Sequence, residues 1–212
     1  MSDYRLHWIP KSGNAYKVAS YLCLVDADWQ PVRVDFCGGE TLQDKWRSNV
    51  NEMGEIPVLE HAGERITQSG LILHYLAERH VRFGAVDEMA AREIWRWILF
   101  DNHKLTGSFA TYRWLRTFAT PRGHSEVLAF LRSRADGALS VLEKHLQTSD
   151  FVVGAAPTIA DISLSGYLYF PEEETGYDLA SAFPGVFAWT QRIAALPGWR
   201  HPYEVAALFP QL

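Results

Sequence analysis

The segment Gly54-Glu55-Ile56-Pro57-Val58-Leu59, followed by Thr67-Gln68-Ser69-Gly70-Leu71, restricts the fold more than any other part of the sequence. A proline at the entrance to a short apolar strand cannot extend a sheet ladder, so Ile56 keeps backbone N–H and C=O groups that face outward. The Ile56–Pro57 bond is a candidate cis peptide, because the tertiary amide lowers the trans preference to about 0.5–1 kcal/mol. Leu71, Ile72, Tyr75 and Leu76 follow Gln68-Ser69 at helical spacing. A helix that starts there gathers free N–H groups and partial positive charge, which suits a carboxylate. The two elements together form a backbone clamp for a peptide-like ligand and a cradle for its acidic end. A small acidic peptide is the implied ligand.

Bulk properties narrow the class of partner. The 212 residues, 48% hydrophobic and 21% charged, suit an ordinary globular chain with room for a substantial core. A net charge of −5 argues against a nucleic-acid surface, which usually needs a basic face. No apolar run approaches the ~20 residues needed to cross a bilayer, and Met1-Ser2-Asp3-Tyr4-Arg5 has no signal-peptide core. Cys23 and Cys37 form neither a Cys-x-x-Cys pair nor a zinc-ligand cluster, and read as packing or surface residues. His74 and His80 are six apart with no His-Glu-x-x-His, so no metal is expected. These features predict a reduced, cytoplasmic protein with no nucleic-acid or membrane partner.

The first eighty residues alternate strand and helix. Leu6 and Trp8 alternate with Arg5 and His7 as a half-buried strand, and the loop Pro10–Asn14 follows. Ala15, Val18, Ala19, Leu22 and Val25 give a first amphipathic helix. Val32, Val34 and Phe36 predict the second strand, and a short irregular helix is expected within Leu42–Ser48. Val58–Glu60 and Arg65–Thr67 flank a turn as an antiparallel hairpin before a helix from Ser69 to Arg79. From Asp87 onward the pattern is helical. A long helix is expected from Ala90 to Trp114, with a break near Gly107-Ser108, and another from Ser125 to Leu146. Thr158-Ile159-Ala160-Asp161 has the form of a capping box. A last helix starts at Pro184 and ends before Pro197-Gly198, and Val81–Val86 is the linker.

Asn51-x-x-Gly54-x-Ile56-Pro57-Val58-Leu59, Gln68-Ser69-x-x-Ile72-Leu73-x-Tyr75-Leu76 and Thr158-Ile159-Ala160-Asp161, in this order, resemble the cytosolic glutathione transferases over essentially the whole chain. The resemblance implies an α/β thioredoxin-like N-terminal domain (βαβαββα, residues 1–82), an all-α C-terminal helical bundle (87–212) and a homodimer. It implies glutathione as co-substrate. Ile56, beside Pro57, would hold the cysteinyl part through its backbone, while Gln68 and Ser69 would hold the γ-glutamyl carboxylate. Ser12 corresponds to the serine with which theta- and delta-like classes hydrogen-bond the thiolate. Asn14 is the second candidate for the sulfur, since another bacterial class uses an asparagine in this loop; both residues also suit a plain helix cap. A free thiol with pKa near ~8.5 is little ionised at pH 7, so such a donor is what the chemistry requires.

At the glycyl end the chain departs from several classes. Gly54-Glu55 and Gly39-Glu40-Thr41 stand where those classes place a basic residue, which leaves Lys45 and Arg47 as candidates without a motif. A small hydrophobic electrophile is the expected second substrate, near Ile9-Pro10-Lys11, the long helix (Trp97, Phe100, Lys104) and Phe209. Ser12-Gly13-Asn14-Ala15 lacks the cysteines of a dithiol exchanger. Conjugation of glutathione in detoxification is the leading expectation. Dehalogenation, isomerisation, peroxide reduction and a non-catalytic binding or assembly module are the alternatives.

Overall fold

The computed structural model describes residues 3–209. Their contacts group the chain into two units, one comprising the residues up to Arg82 together with those from Leu196 onward, the other Phe83–Ala195.

In the first unit, β1 (Tyr4–Trp8), α1 (Gly13–Leu24), β2 (Trp29–Arg33), a 3₁₀ turn (Glu40–Leu42), α2 (Asp44–Asn49), β3 (Val58–His61), β4 (Glu64–Thr67) and α3 (Ser69–His80) follow in that order. The sheet order is β2-β1-β3-β4, with β1 and β2 parallel and the other two pairs antiparallel. Period-two alternation divides the side chains between two faces. Leu6, opposite Leu59, lies with Trp8 on the face where buried Ala15, Val18, Leu22, Ile72, Leu73 and Leu76 of α1 and α3 complete a dry core. On the other face Val34, Trp46 and Val58 form a smaller cluster with Ile9, Val50 and Ile56 packed against it.

The second strand lies earlier than the alternation of Val32, Val34 and Phe36 predicts. It pairs Tyr4 with Trp29 and Trp8 with Arg33, and Phe36 is 37% exposed. Pro31 within it is tolerated because β2 is an edge strand, whose outer side needs no donor. Val34 still donates to Trp8 O at 3.3 Å, which is why its burial mimics a strand residue. After Leu196 the chain forms α11 (Pro202–Ala207), which packs on α1. Tyr16 OH donates to Arg200 O at 2.8 Å, and the Phe209 ring meets Trp29 edge-on. This tail therefore lies with the first unit, whereas the domain span expected from the sequence counts it with the helices.

The second unit is helical: α4 (Glu88–Phe100), a π-helical turn (Asp101–Thr106), α5 (Gly107–Thr117), α6 (Ser125–Leu146), α7 (Ile159–Ser165), α8 (Glu172–Thr175), α9 (Leu179–Ala182) and α10 (Pro184–Ala194). The long helix expected from Ala90 is interrupted just before Gly107. Fully buried Asp101 turns inward there, accepting from Thr106 Oγ1 (2.7 Å) and Ser163 Oγ (2.6 Å). The wider turn lets one carboxylate gather two hydroxyls. The capping box at α7 is present: Thr158 Oγ1 accepts from Ala160 N and Asp161 Oδ2 accepts from Thr158 N.

Candidate functional site

Strand register brings three separate sequence segments to one end of the sheet. Val58 pairs with His7 on one side and with Thr67 on the other. One residue beyond these last pairs stand Trp8, which ends β1, Pro57, which precedes β3, and Gln68, which precedes α3. The loop that carries Ser12 leaves β1 at the same end. Sequence separation of more than fifty residues between Ser12 and Gln68 thus collapses to neighbouring strand ends.

Ser12 is the N-cap of α1, with extended backbone (φ −89°, ψ 114°) and its Oγ accepting from Ala15 N at 3.2 Å. Its own N–H is tied to Ile9 O at 3.1 Å, which shapes the loop. The cap uses a lone pair of the hydroxyl and leaves its hydrogen available to donate. Gly13 and Asn14 N–H precede the first ladder bond, in which Tyr16 N reaches Ser12 O, and add positive potential at the helix start. Asn14 is half-buried, and its Oδ1 is buried without a hydrogen-bond partner among the described residues.

The Ile56–Pro57 peptide is cis. Ile56 is half-buried on the Trp46 cluster, so its side chain is anchored while the backbone turns to the sheet end. The preceding loop is organised by Asn51, only 6% exposed. Asn51 Nδ2 donates to Glu55 O (2.9 Å), Met53 N donates to Asn51 Oδ1 (3.1 Å) and Gly54 N donates to Asn51 O (3.0 Å). Gly54 adopts φ +71°, and a Cβ there would lie 2.8 Å from Arg47 Nη2 and 2.9 Å from Thr41 O. Only glycine fits this close approach. Arg47 is thereby placed against the loop, with Nη1 directed at Glu52 O.

Gln68 sits at φ +67°, ψ 112°, just before α3. Its Nε2 donates to Glu55 Oε2 at 3.0 Å and to Met53 Sδ at 3.2 Å. Ser69, the first residue of α3, is 6% exposed. The N–H groups of Ser69, Gly70 and Leu71 precede the first ladder bond of α3, which Ile72 makes to Gln68 O. The sheet end therefore gathers the Ser12 hydroxyl, the Asn14 amide, the cis Ile56–Pro57 peptide and the start of α3.

Several polar groups of the first unit lie outside the expected set. His7 is buried beneath Trp46, its Nε2 on Glu60 Oε1 at 3.0 Å and its Nδ1 without a partner among the described residues. Glu60 also accepts from Arg5 Nη1 (2.9 Å) and Arg65 Nε (3.1 Å). Burial works against its ionisation, but the hydrogen bonds from His7 and Arg65 prevail and hold its pKa below the ordinary value. Burial pushes the Cys23 thiol up, which keeps it protonated. Cys37 is exposed. Among the described residues no group of three or more His, Cys, Asp or Glu is placed to hold a metal, and no helix is long and apolar enough to cross a membrane. In the second unit Trp97 is buried against Phe100 and His145, while Asn102, His103 and Lys104 are exposed on the π-helical turn.

The residues that the sequence brought forward, Ser12, Asn14, Ile56, Pro57, Gln68 and Ser69, all converge on this end of the sheet. Glu55 and Met53 join them through the Gln68 side chain. Glu55 carried the signal of standing where a basic residue was anticipated, but only the Gln68 contact shows where its carboxylate lies.

Comparison with known proteins bears on the whole chain. The family model "Glutathione S-transferase, N-terminal domain" matches residues 2–78, and "Glutathione S-transferase, C-terminal domain" matches residues 109–197. The chain is 25% identical to glutathione S-transferase 2 of Schizosaccharomyces pombe, over 98% of this chain and 97% of the relative. The crystal structure of a glutathione S-transferase from Pseudomonas fluorescens superposes with TM-score 0.87 at 30% identity, covering 95% of this chain and 99% of that one. A glutathione transferase from Phanerochaete chrysosporium, solved with oxidized glutathione, shares the fold at TM-score 0.86 and 22% identity, covering 99% and 97%. With a thioredoxin-like sheet domain, a helical C-terminal domain and both family models matched in order, the chain belongs to the glutathione S-transferase family.

Proposed function

We propose that the protein binds reduced glutathione at this sheet end, stabilises its thiolate and conjugates it to a small hydrophobic electrophile. The observation that carries the reading is Ser12. Its hydroxyl caps α1 as an acceptor while keeping a hydrogen to donate, at the sheet end that also holds Ile56–Pro57 and Gln68–Ser69. Such a donor aimed at sulfur favours the anion, and binding then places the nucleophile against the acceptor carbon. Asn14 is the second candidate for the sulfur, through its amide N–H₂ or its backbone N–H at the start of α1. Ile56 holds the cysteinyl unit through its backbone, and Gln68 with Ser69, at the start of α3, holds the γ-glutamyl carboxylate. Support for glutathione as the ligand comes from family membership and from relatives solved with it. The serine-type assignment rests on the position of Ser12 alone.

In Ser12→Ala the conjugation rate with a chromogenic aryl halide should fall by on the order of 10²-fold, with the Kd for glutathione nearly unchanged. If Ser12→Ala keeps full activity and Asn14→Ala loses it, the asparagine is the sulfur ligand. Millimolar glutathione should raise the melting temperature of the wild-type protein, because a ligand well above its Kd stabilises the state that binds it. A protein neither stabilised by glutathione nor retained on it immobilised would be a non-catalytic member. We extend the proposal to a cytoplasmic homodimer, for which sedimentation equilibrium should give twice the mass of one chain.

A further inference from the structure

We infer that His7 is a positioning residue for the Ile56–Pro57 clamp, which it holds through Trp46 while its imidazole is neutral and loosens when the ring takes a second proton. The inference rests on the reading of this sheet end as a glutathione site and adds a proton-dependent control to it. His7 Nδ1 and Trp46 Nε1 are both buried without a hydrogen-bond partner among the described residues. They belong to two rings in contact, edge-on, with centroids 5.7 Å apart and planes at 85°. His7 is 8% exposed and Trp46 5%, so bulk water serves neither atom. Glu60 decides which nitrogen of His7 carries the first proton. Burial opposes its ionisation, yet the hydrogen bonds from His7 and Arg65 keep it a carboxylate, which only accepts. His7 Nε2, 3.0 Å from Glu60 Oε1, is therefore the N–H. Nδ1 of the neutral ring is then an acceptor, and it lies in the same contact as an indole N–H that can only donate. In the imidazolium Nδ1 becomes a second donor, and the complementarity is lost.

The surroundings of the ring set these two states against each other. On the flanking strands Val32 and Val58 are the residues paired with His7, and neither titrates. The charged residues of α2, Asp44, Lys45 and Arg47, are exposed, and Trp46 is the residue of that helix that is buried. Glu60 is the charge in contact with the imidazole, and Arg5 (2.9 Å) and Arg65 (3.1 Å) are bound to it from β1 and β4. Arg65 also donates to Asn49 O at the end of α2. Glu60 thus favours the imidazolium at Nε2, while the buried indole opposes it at Nδ1. Trp46 carries the outcome to the ligand. It packs with Val34 and Val58, and Ile56 is seated on that cluster. Because a close-packed interior transmits small displacements, a shift of Trp46 moves the side chain that anchors the clamp.

The test measures Kd by calorimetry for S-methylglutathione, whose sulfur does not titrate, at about pH 7.5 and about pH 5.5, a span in which imidazole changes charge. Wild-type binding should weaken about fivefold on acidification, the effect of one hydrogen bond. His7→Gln keeps a donor for Glu60 and an acceptor oxygen but takes no proton, so its Kd should change by about twofold or less. Trp46→Phe keeps an aromatic ring and removes the indole donor, and it should flatten the profile as well. The indole N–H resonance of Trp46, identified by its loss in Trp46→Phe, should move over the same pH range in wild-type protein and stay fixed in His7→Gln. That resonance reports on the ring pair without any ligand. A wild-type Kd indifferent to pH overturns the role of His7 and leaves the glutathione reading intact. So does a dependence retained in His7→Gln, or in Trp46→Phe should the first variant not fold. Wild-type protein that binds S-methylglutathione at neither pH overturns the glutathione reading and the control of the clamp with it.

Discussion

Two groups of the first unit should govern stability against pH. His80, whose Nε2 lies 3.1 Å from Tyr4 OH, has its pKa lowered, first by burial and then by the positive charges of Arg79, His61 and Arg82. The folded state therefore prefers neutral imidazole. Its contribution is fully present above the unfolded value near 6.5 and is lost as pH falls through the folded one. Glu60 behaves as a carboxylate with a depressed pKa, so its contribution is lost at lower pH, as the fold is forced to protonate it. Urea unfolding across a pH series should show two declines on acidification, one beginning near pH 6.5 and one below the ordinary carboxylate range. His80→Gln should remove the first and leave the second. An unchanged profile in that variant would assign the first decline to another histidine.

Local signals were reliable where an element is held by its own sequence and misleading where a distant partner decides. The Thr158-x-x-Asp161 box is local, and it is found as read, but its carboxylate does more than cap. Asp161 Oδ1 also accepts from Val152 N (2.9 Å) and Trp189 Nε1 (2.9 Å), and Thr158 Oγ1 donates to Oδ2. Asp161→Ala leaves two backbone N–H groups and an indole N–H buried without partners, and should cost about 3 kcal/mol or more in urea unfolding. A loss under 1 kcal/mol would show that water replaces the carboxylate. The break in the long helix was legible as Gly107-Ser108, whereas its form was not. A π-helical turn exists because Asp101 reaches Ser163, some sixty residues on. The second strand was misplaced for the same kind of reason, since its register is set by β1, and of Val32, Val34 and Phe36 only Val34 is buried, in the cluster with Trp46.

On the scale of the whole molecule, the segment after Leu196 is structural for the first unit. Gly198 adopts φ +87°, and a Cβ there would lie 2.7 Å from Cys23 O. Neither the conformation nor the space admits a side chain, so Gly198→Val should lift the tail from α1 and cost roughly 2 kcal/mol. Faster exchange of the α1 and α11 amides than of α3 would localise the effect, and uniform exchange would refute it. By itself the sequence determined the two-part architecture, the candidate clamp at Ile56–Pro57, the helix start at Gln68-Ser69 and the pair Ser12 and Asn14. Each of these depends on short-range patterns: hydrophobic period, a proline that cannot extend a ladder, a cap residue before a helix. Only the tertiary structure decided that Gln68 turns its amide hydrogens onto Glu55 and Met53, that Asn14 keeps a buried oxygen unpaired, that His7 pairs with Glu60, and that the tail belongs with the sheet. Those are meetings of residues far apart in the chain, set by strand register and packing, and no periodicity in the sequence encodes them.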